Sequence, residues 1–156
     1  MSNCKESKGE KNMVYPRIAK DQVVIPSGTP DRTLFVCVTK TYGVHLLANQ
    51  MRCASSEDCS RGYWKNRHVT AAHAQDCDWL FAHKNRRIVE VFRIDRKKGW
   101  VDSRQSPKKS WPSDKPPVGT RMACEVTHDA AMTSRFKGVI VRLGRCQNPL
   151  RGYFVG

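Results

Sequence analysis

The sequence predicts an α+β domain of six or seven short strands with one or two small helices, or a small barrel of the same strands. Three observations predict it. The chain has 156 residues and a mass of 17.8 kDa, which is one domain's worth. It is 39% hydrophobic and 27% charged, near the globular average, so a packed core is expected despite a mean hydropathy of −0.61. Its apolar residues fall in short β-branched or aromatic runs closed by Gly, Pro, Asn and Asp, with no internal repeat and no heptad.

Residues 1 to 20 carry Lys5, Glu6, Lys8, Glu10, Lys11, Arg17 and Lys20 with few apolar neighbours, the composition of a basic arm, so the single domain is expected to span 21 to 156. Gln22 to Pro26 and Thr33 to Thr39 read as two strands joined by the turn formers Ser27-Gly28-Thr29-Pro30-Asp31. Thr41 to Arg52 places Val44, Leu46, Leu47 and Met51 at roughly helical spacing, and a polar loop, Ala54 to Ser60, follows. Trp79 to His83 and Arg87 to Asp95 flank Lys84-Asn85-Arg86 and predict a β-hairpin at the centre of the fold. In its second strand Ile88, Glu90, Phe92 and Ile94 alternate with Val89, Val91 and Arg93. Ser103 to Gly119 contains Pro107, Pro112, Pro116 and Pro117 among lysines and serines and is expected to be an exposed basic loop. Arg121 to Thr127, Gly138 to Leu143 and Arg151 to Val155 read as strands, and Asp129 to Met132 as a helical turn.

Charge narrows the class of partner. Lysine and arginine number 28 against 14 acids, a formal net charge of +14, more than solubility requires and suited to a polyanion. The excess is uneven: Arg61 to Lys98 holds ten basic and four acidic residues, and Arg135 to Gly156 holds Arg135, Lys137, Arg142, Arg145 and Arg151 with no acid. Interleaved aromatics, Tyr63, Trp64, Trp79, Phe92 and Trp100, complete the composition of a nucleic-acid surface, against the plainer alternative of a solvated basic face over an aromatic core. No apolar run is long enough to cross a bilayer and the N-terminus is polar, so no membrane partner and a soluble, cytoplasmic protein are expected. Seven cysteines, an odd number with no CxxC, argue for reduced thiols over a disulfide framework or a zinc finger. A loosely spaced site from Cys53, Cys59, His68 and His73 is the metal alternative to buried small side chains, and no cofactor is expected.

Four segments in order carry a resemblance: Gly62-Tyr63-Trp64-Lys65-Asn66, Asp78 to His83, Arg87 to Ile94, and Gly99-Trp100. The arrangement resembles the PUA-like superfamily, which includes EVE, ASCH and YTH domains. The ending Gln147-Asn148-Pro149-Leu150-Arg151-Gly152-Tyr153 is similar to that of uncharacterised microbial and phage proteins sharing the hairpin. Glu90 stands where that family usually has glycine, and the proline-rich insert is a further departure. The resemblance implies a small twisted β-barrel whose mouth holds one base, often modified, between aromatic rings. It makes Trp64 and Trp100 the pocket walls, with Tyr63 beside them and Asn66 reading a base edge. Lys65, Arg67, Arg86, Arg87, Arg145 and Arg151 would hold phosphates.

Catalytic patterns are weak. His68 and His73 are one residue off the spacing that places two ligands on one helix face, and no HExxH occurs. Asp76, Asp78, Glu90 and Asp95 could serve a metal-dependent nuclease, but the lysine such sites place after Glu90 is missing. The expectation is a nonenzymatic DNA- or RNA-binding module that reads a flipped or modified base. The alternatives are a phage or mobile-element protein binding a host protein or nucleotide signal, and a metal-dependent nuclease.

Overall fold

A computed structural model describes residues 23–39, 56–106, 121–144 and 148–155. They form ten short strands and three helices of six or seven residues, an α+β fold in which strands dominate. In chain order the elements are β1 (Val23–Val24), β2 (Thr33–Cys37), α1 (Ser56–Arg61), β3 (Gly62–Lys65), α2 (Asn66–Ala71), β4 (Trp79–Lys84), β5 (Arg87–Ile94), β6 (Trp100–Asp102), β7 (Arg121–Cys124), β8 (Val126–His128), α3 (Ala130–Phe136), β9 (Arg142–Leu143) and β10 (Leu150–Tyr153).

The central sheet has the order β10-β2-β4-β5-β8, antiparallel except for the parallel pair β2–β4. A three-stranded sheet β3-β7-β6 and the pair β1–β9 pack around it, and among the described residues the strands do not close into a barrel. The reason is visible in the core. Leu34, Val36, Leu80, Ala82, Phe92 and Ile94 belong to one apolar cluster, whereas Phe35, Phe81 and Val91, at the alternate positions of the same strands, belong to another. With a period of two, this puts apolar side chains on both faces of β2, β4 and β5, so each face needs its own cover. Val69 of α2, Trp100 and Cys124 cover the first; Phe136 of α3, Val141 and Leu143 cover the second.

The predicted hairpin is present and central, with β4 and β5 joined through Asn85 and Arg86. Both residues have positive φ, 51° and 65°, as a two-residue hairpin turn requires. One detail departs from the expected alternation. Ala82 pairs with Glu90 but His83 pairs with Ile88, so Val89 bulges out of the ladder. The extra residue moves Ile88 onto the face of Val91, away from Phe92 and Ile94.

Two other expectations are corrected. Residues 56–61 are helix α1 instead of polar loop, because polar side chains are buried in pairs here: Ser60 Oγ donates to the Ser56 carbonyl, and Arg61 lies 3.4 Å from Asp58. The two strands expected before residue 40 are present as β1 and β2, and they lie in different sheets: β1 joins β9, while β2 lies between β10 and β4. Arg121 to Thr127 is two strands divided at Glu125, one in each of two sheets. The helical turn after Asp129 is confirmed, with the Asp129 carboxylate accepting from the Met132 amide at 2.9 Å as an N-cap. The basic arm, the Thr41 to Arg52 helix and most of the proline-rich loop lie outside the described residues; Ser103 and Ser106, at the start of that loop, are buried.

Candidate nucleic-acid interface

Gly62 opens β3 because the strand lies so close to β7 that a Cβ there would sit 2.8 Å from the Ala123 Cβ. The ladder slips between Gly62 and Trp64, leaving Tyr63 unpaired; of its side chain nothing is described. Trp64 is half-buried, packs on the first core cluster and donates its indole N–H to the Ser60 carbonyl at 2.8 Å. Trp100 is a member of the same cluster, and its indole N–H goes to the Ala74 carbonyl at 3.2 Å. The two predicted pocket walls are therefore brought to one core, and both rings are tied to backbone carbonyls within it.

After Trp64 the chain turns outward. Lys65, Asn66 and Arg67 are exposed at the end of β3 and the start of α2. Lys65 stands directly opposite Arg121 across the β3–β7 ladder, where like charges cost stability. His68, one residue further on, has its pKa lowered by partial burial first, and then by Arg67, Lys65 and Arg121; no carboxylate is among these causes. Arg121, which sequence reasoning passed over as one residue of a strand, thus completes a cationic ridge of Lys65, Arg67 and Arg121. Only its cross-strand register brings it there.

The remaining predicted phosphate ligands lie elsewhere. The backbone of Arg86 and Ile88 is bonded to the 138–141 segment, and Arg87 Nη1 donates to the Gly138 carbonyl at 2.8 Å. Arg151 Nη1 donates to the Leu143 carbonyl at 2.6 Å. These arginines are thus attached to the cover of the second face, where Val141 and Leu143 pack, while Lys65 and Arg67 belong to the α2 side. Arg145 lies outside the described residues.

Many of the described acids are committed away from the ridge. Asp31 accepts from the Val155 amide, Asp95 from the Lys97 and Lys98 amides, Asp102 from the Arg104 amide and Asp129 from the Met132 amide. Hydrogen bonds from Arg104 also draw the Asp102 carboxyl down to about 2. Asp78 pairs with Arg96 at 2.9 Å. Glu90 accepts from Ser56 Oγ and meets His128 Nε2 at 3.1 Å. Many of the carboxylates are thus engaged in holding turns, caps and elements together. Of the acids considered for a nuclease, Asp78, Glu90 and Asp95 are divided among these tasks, and among the described residues no three His, Cys, Asp or Glu side chains gather as a metal-ligand group. Cys53 lies outside the described residues, and Cys59 is buried in the first core cluster. Cys37, Cys59, Cys77 and Cys124 form no disulfide among the described residues. Burial pushes Cys77 up to about 12 and raises Cys124 as well, leaving both protonated and poor nucleophiles.

No helix among the described residues is long and apolar enough to cross a membrane. Comparison with protein-family models, curated proteins and solved structures finds no match for this chain.

Proposed function

We propose that the protein is a nonenzymatic nucleic-acid-binding module of the PUA-like kind, with phosphates held on the ridge of Lys65, Arg67 and Arg121. The observation that carries this reading is the like-charge pair Lys65–Arg121, set beside a histidine whose surroundings are cationic. A fold gains nothing from placing two cations opposite each other; an external polyanion does, because each neutralised phosphate releases counterions. The central hairpin, followed by Trp100 in the core, supports the PUA-like part. Both indoles are packed against one core and bonded to backbone carbonyls, so the reading of a flipped or modified base does not rest on Trp64 and Trp100.

Binding of fluorescent single-stranded, duplex and base-modified oligonucleotides across a salt series tests the proposal. Three phosphate contacts to a single strand give a log–log salt slope of about −2. Lys65→Ala and Arg121→Ala should each flatten it by about 0.7, for every sequence alike. No binding, or binding indifferent to salt, overturns the proposal.

A further inference from the structure

At the other end of α2 from Lys65 lies a cavity of about 250 Å³, formed by the helix end and β10. It is smaller than the ~300–1,000 Å³ typical of drug-sized ligand sites, room for one small ring system. Two rings border it. His73 is exposed and held in a left-handed conformation, φ 52°, and its imidazole stands edge-on to the Phe154 ring, with centroids 6.3 Å apart at 87°. Phe154 is 41% exposed, yet the chain on both sides of it is anchored. On one side Val155 N donates to Asp31 at 2.8 Å; on the other, Gly152 lies so near the Ala72 carbonyl that a Cβ would come within 2.2 Å. A left-handed non-glycine residue and an exposed phenylalanine on anchored backbone both break local rules at the same cavity, and such departures gather at functional sites.

Besides His73 and Arg151, the polar side chain lining the cavity is the Asn148 amide. Its Nδ2 donates to the His68 carbonyl at 3.1 Å and its Oδ1 accepts from the Leu150 amide at 2.9 Å. These bonds fix its orientation and leave one N–H and one lone pair, the couple an amide offers to adenine. The bond to the His68 carbonyl also joins Asn148 to α2, the helix that begins at Asn66 after Lys65 and carries Arg67. From Asn66 to Ala71 the helix rises about 7.5 Å, a span within the reach of one or two nucleotides.

The geometry points to this cavity as the seat of a single unpaired nucleobase, stacked on Phe154 beside His73, with its edge read by Asn148. The link from base to phosphate rests on the nucleic-acid reading of the ridge; the cavity itself does not. Two measurements on the full chain separate them. In titrations with uncharged adenosine, guanosine, cytidine and uridine, backbone NMR signals of His73, Asn148 and Gly152 should shift, most with adenosine. In parallel, Phe154→Ala should weaken single-stranded oligonucleotide binding about five- to one-hundred-fold with the salt slope unchanged, and Phe154→Trp should preserve it. Nucleosides that leave those signals unmoved, together with wild-type affinity in Phe154→Ala, overturn the base site while salt-dependent binding keeps the ridge. Shifts with nucleosides but no oligonucleotide binding keep the base site and overturn the ridge.

Discussion

Arg61 and Lys65 are four residues apart and have opposite fates. Arg61 is buried, with Nη1 bonded to Ser106 Oγ at 2.8 Å and to the Cys124 carbonyl at 3.3 Å, and with Asp58 and Glu125 beside it. Lys65 is exposed, and its cross-strand neighbour is another cation. Arg61 serves the fold: it joins α1 to β7 and to the end of the 103–106 turn. Lys65 belongs to the site proposed above for an external polyanion, and its neighbour across the β3–β7 ladder is a cation. Net charge alone does not separate these roles; partnership does.

The widest gap between the two regions should appear on deleting their charges. Arg61→Ala leaves Asp58 buried without its nearest cation and opens a cavity, so stability in urea should fall by about 3–5 kcal/mol. Replacing the pair together, Asp58→Leu with Arg61→Met, should recover much of that loss. A loss below about 1 kcal/mol for Arg61→Ala would mean that the buried charges do not hold α1 in place.

Histidines sharpen the same contrast. His83 is buried on β4, its Nε2 has no partner among the described residues, and burial alone lowers its pKa to about 4. The unfolded chain takes up this proton near pH 6.5 and the folded chain resists it, so stability falls as pH drops from about 6.5 to about 4, by up to roughly 3 kcal/mol. His83→Leu should flatten that part of the pH profile in urea melts; an unchanged profile would rule His83 out as its source. His68 should behave differently, because cations contribute to its lowered pKa: oligonucleotide binding at the ridge should raise its pKa, read by NMR, and leave that of His83 where it was.

The smallest effect is the most diagnostic. Arg121→Gln removes one member of the opposed pair and should raise stability by about 0.2–1 kcal/mol while weakening oligonucleotide binding. A variant that loses stability and binding together would show that Arg121 is a structural residue.

Much of the fold was legible from local pattern. Turn formers bracketed β2 and the β4–β5 hairpin, Asp129 announced α3, and exposed Lys65, Asn66 and Arg67 stood in a polar run. These features depend on a residue and its near neighbours, which is what periodicity, turn chemistry and capping encode. Other features had no local signal. Helix α1 has no apolar stripe, because Asp58 and Arg61 are buried by partners distant in sequence such as Ser106 and Glu125. The bulge at Val89 inverts the face of Ile88, and register is a property of two strands.

By itself the sequence determined that the chain is basic and strand-rich with a central hairpin, because composition and short-range pattern suffice for that. The tertiary structure alone decided that the described strands stay open with a core on each face, and that Trp64 and Trp100 pack on the first of these cores. It also decided that Arg121 joins Lys65 while Arg86, Arg87 and Arg151 attach to the cover of the other face. The physical reason is common to all three: which groups share a face depends on long-range pairing, and that pairing is selected by burying apolar surface on both sides of the sheet at once.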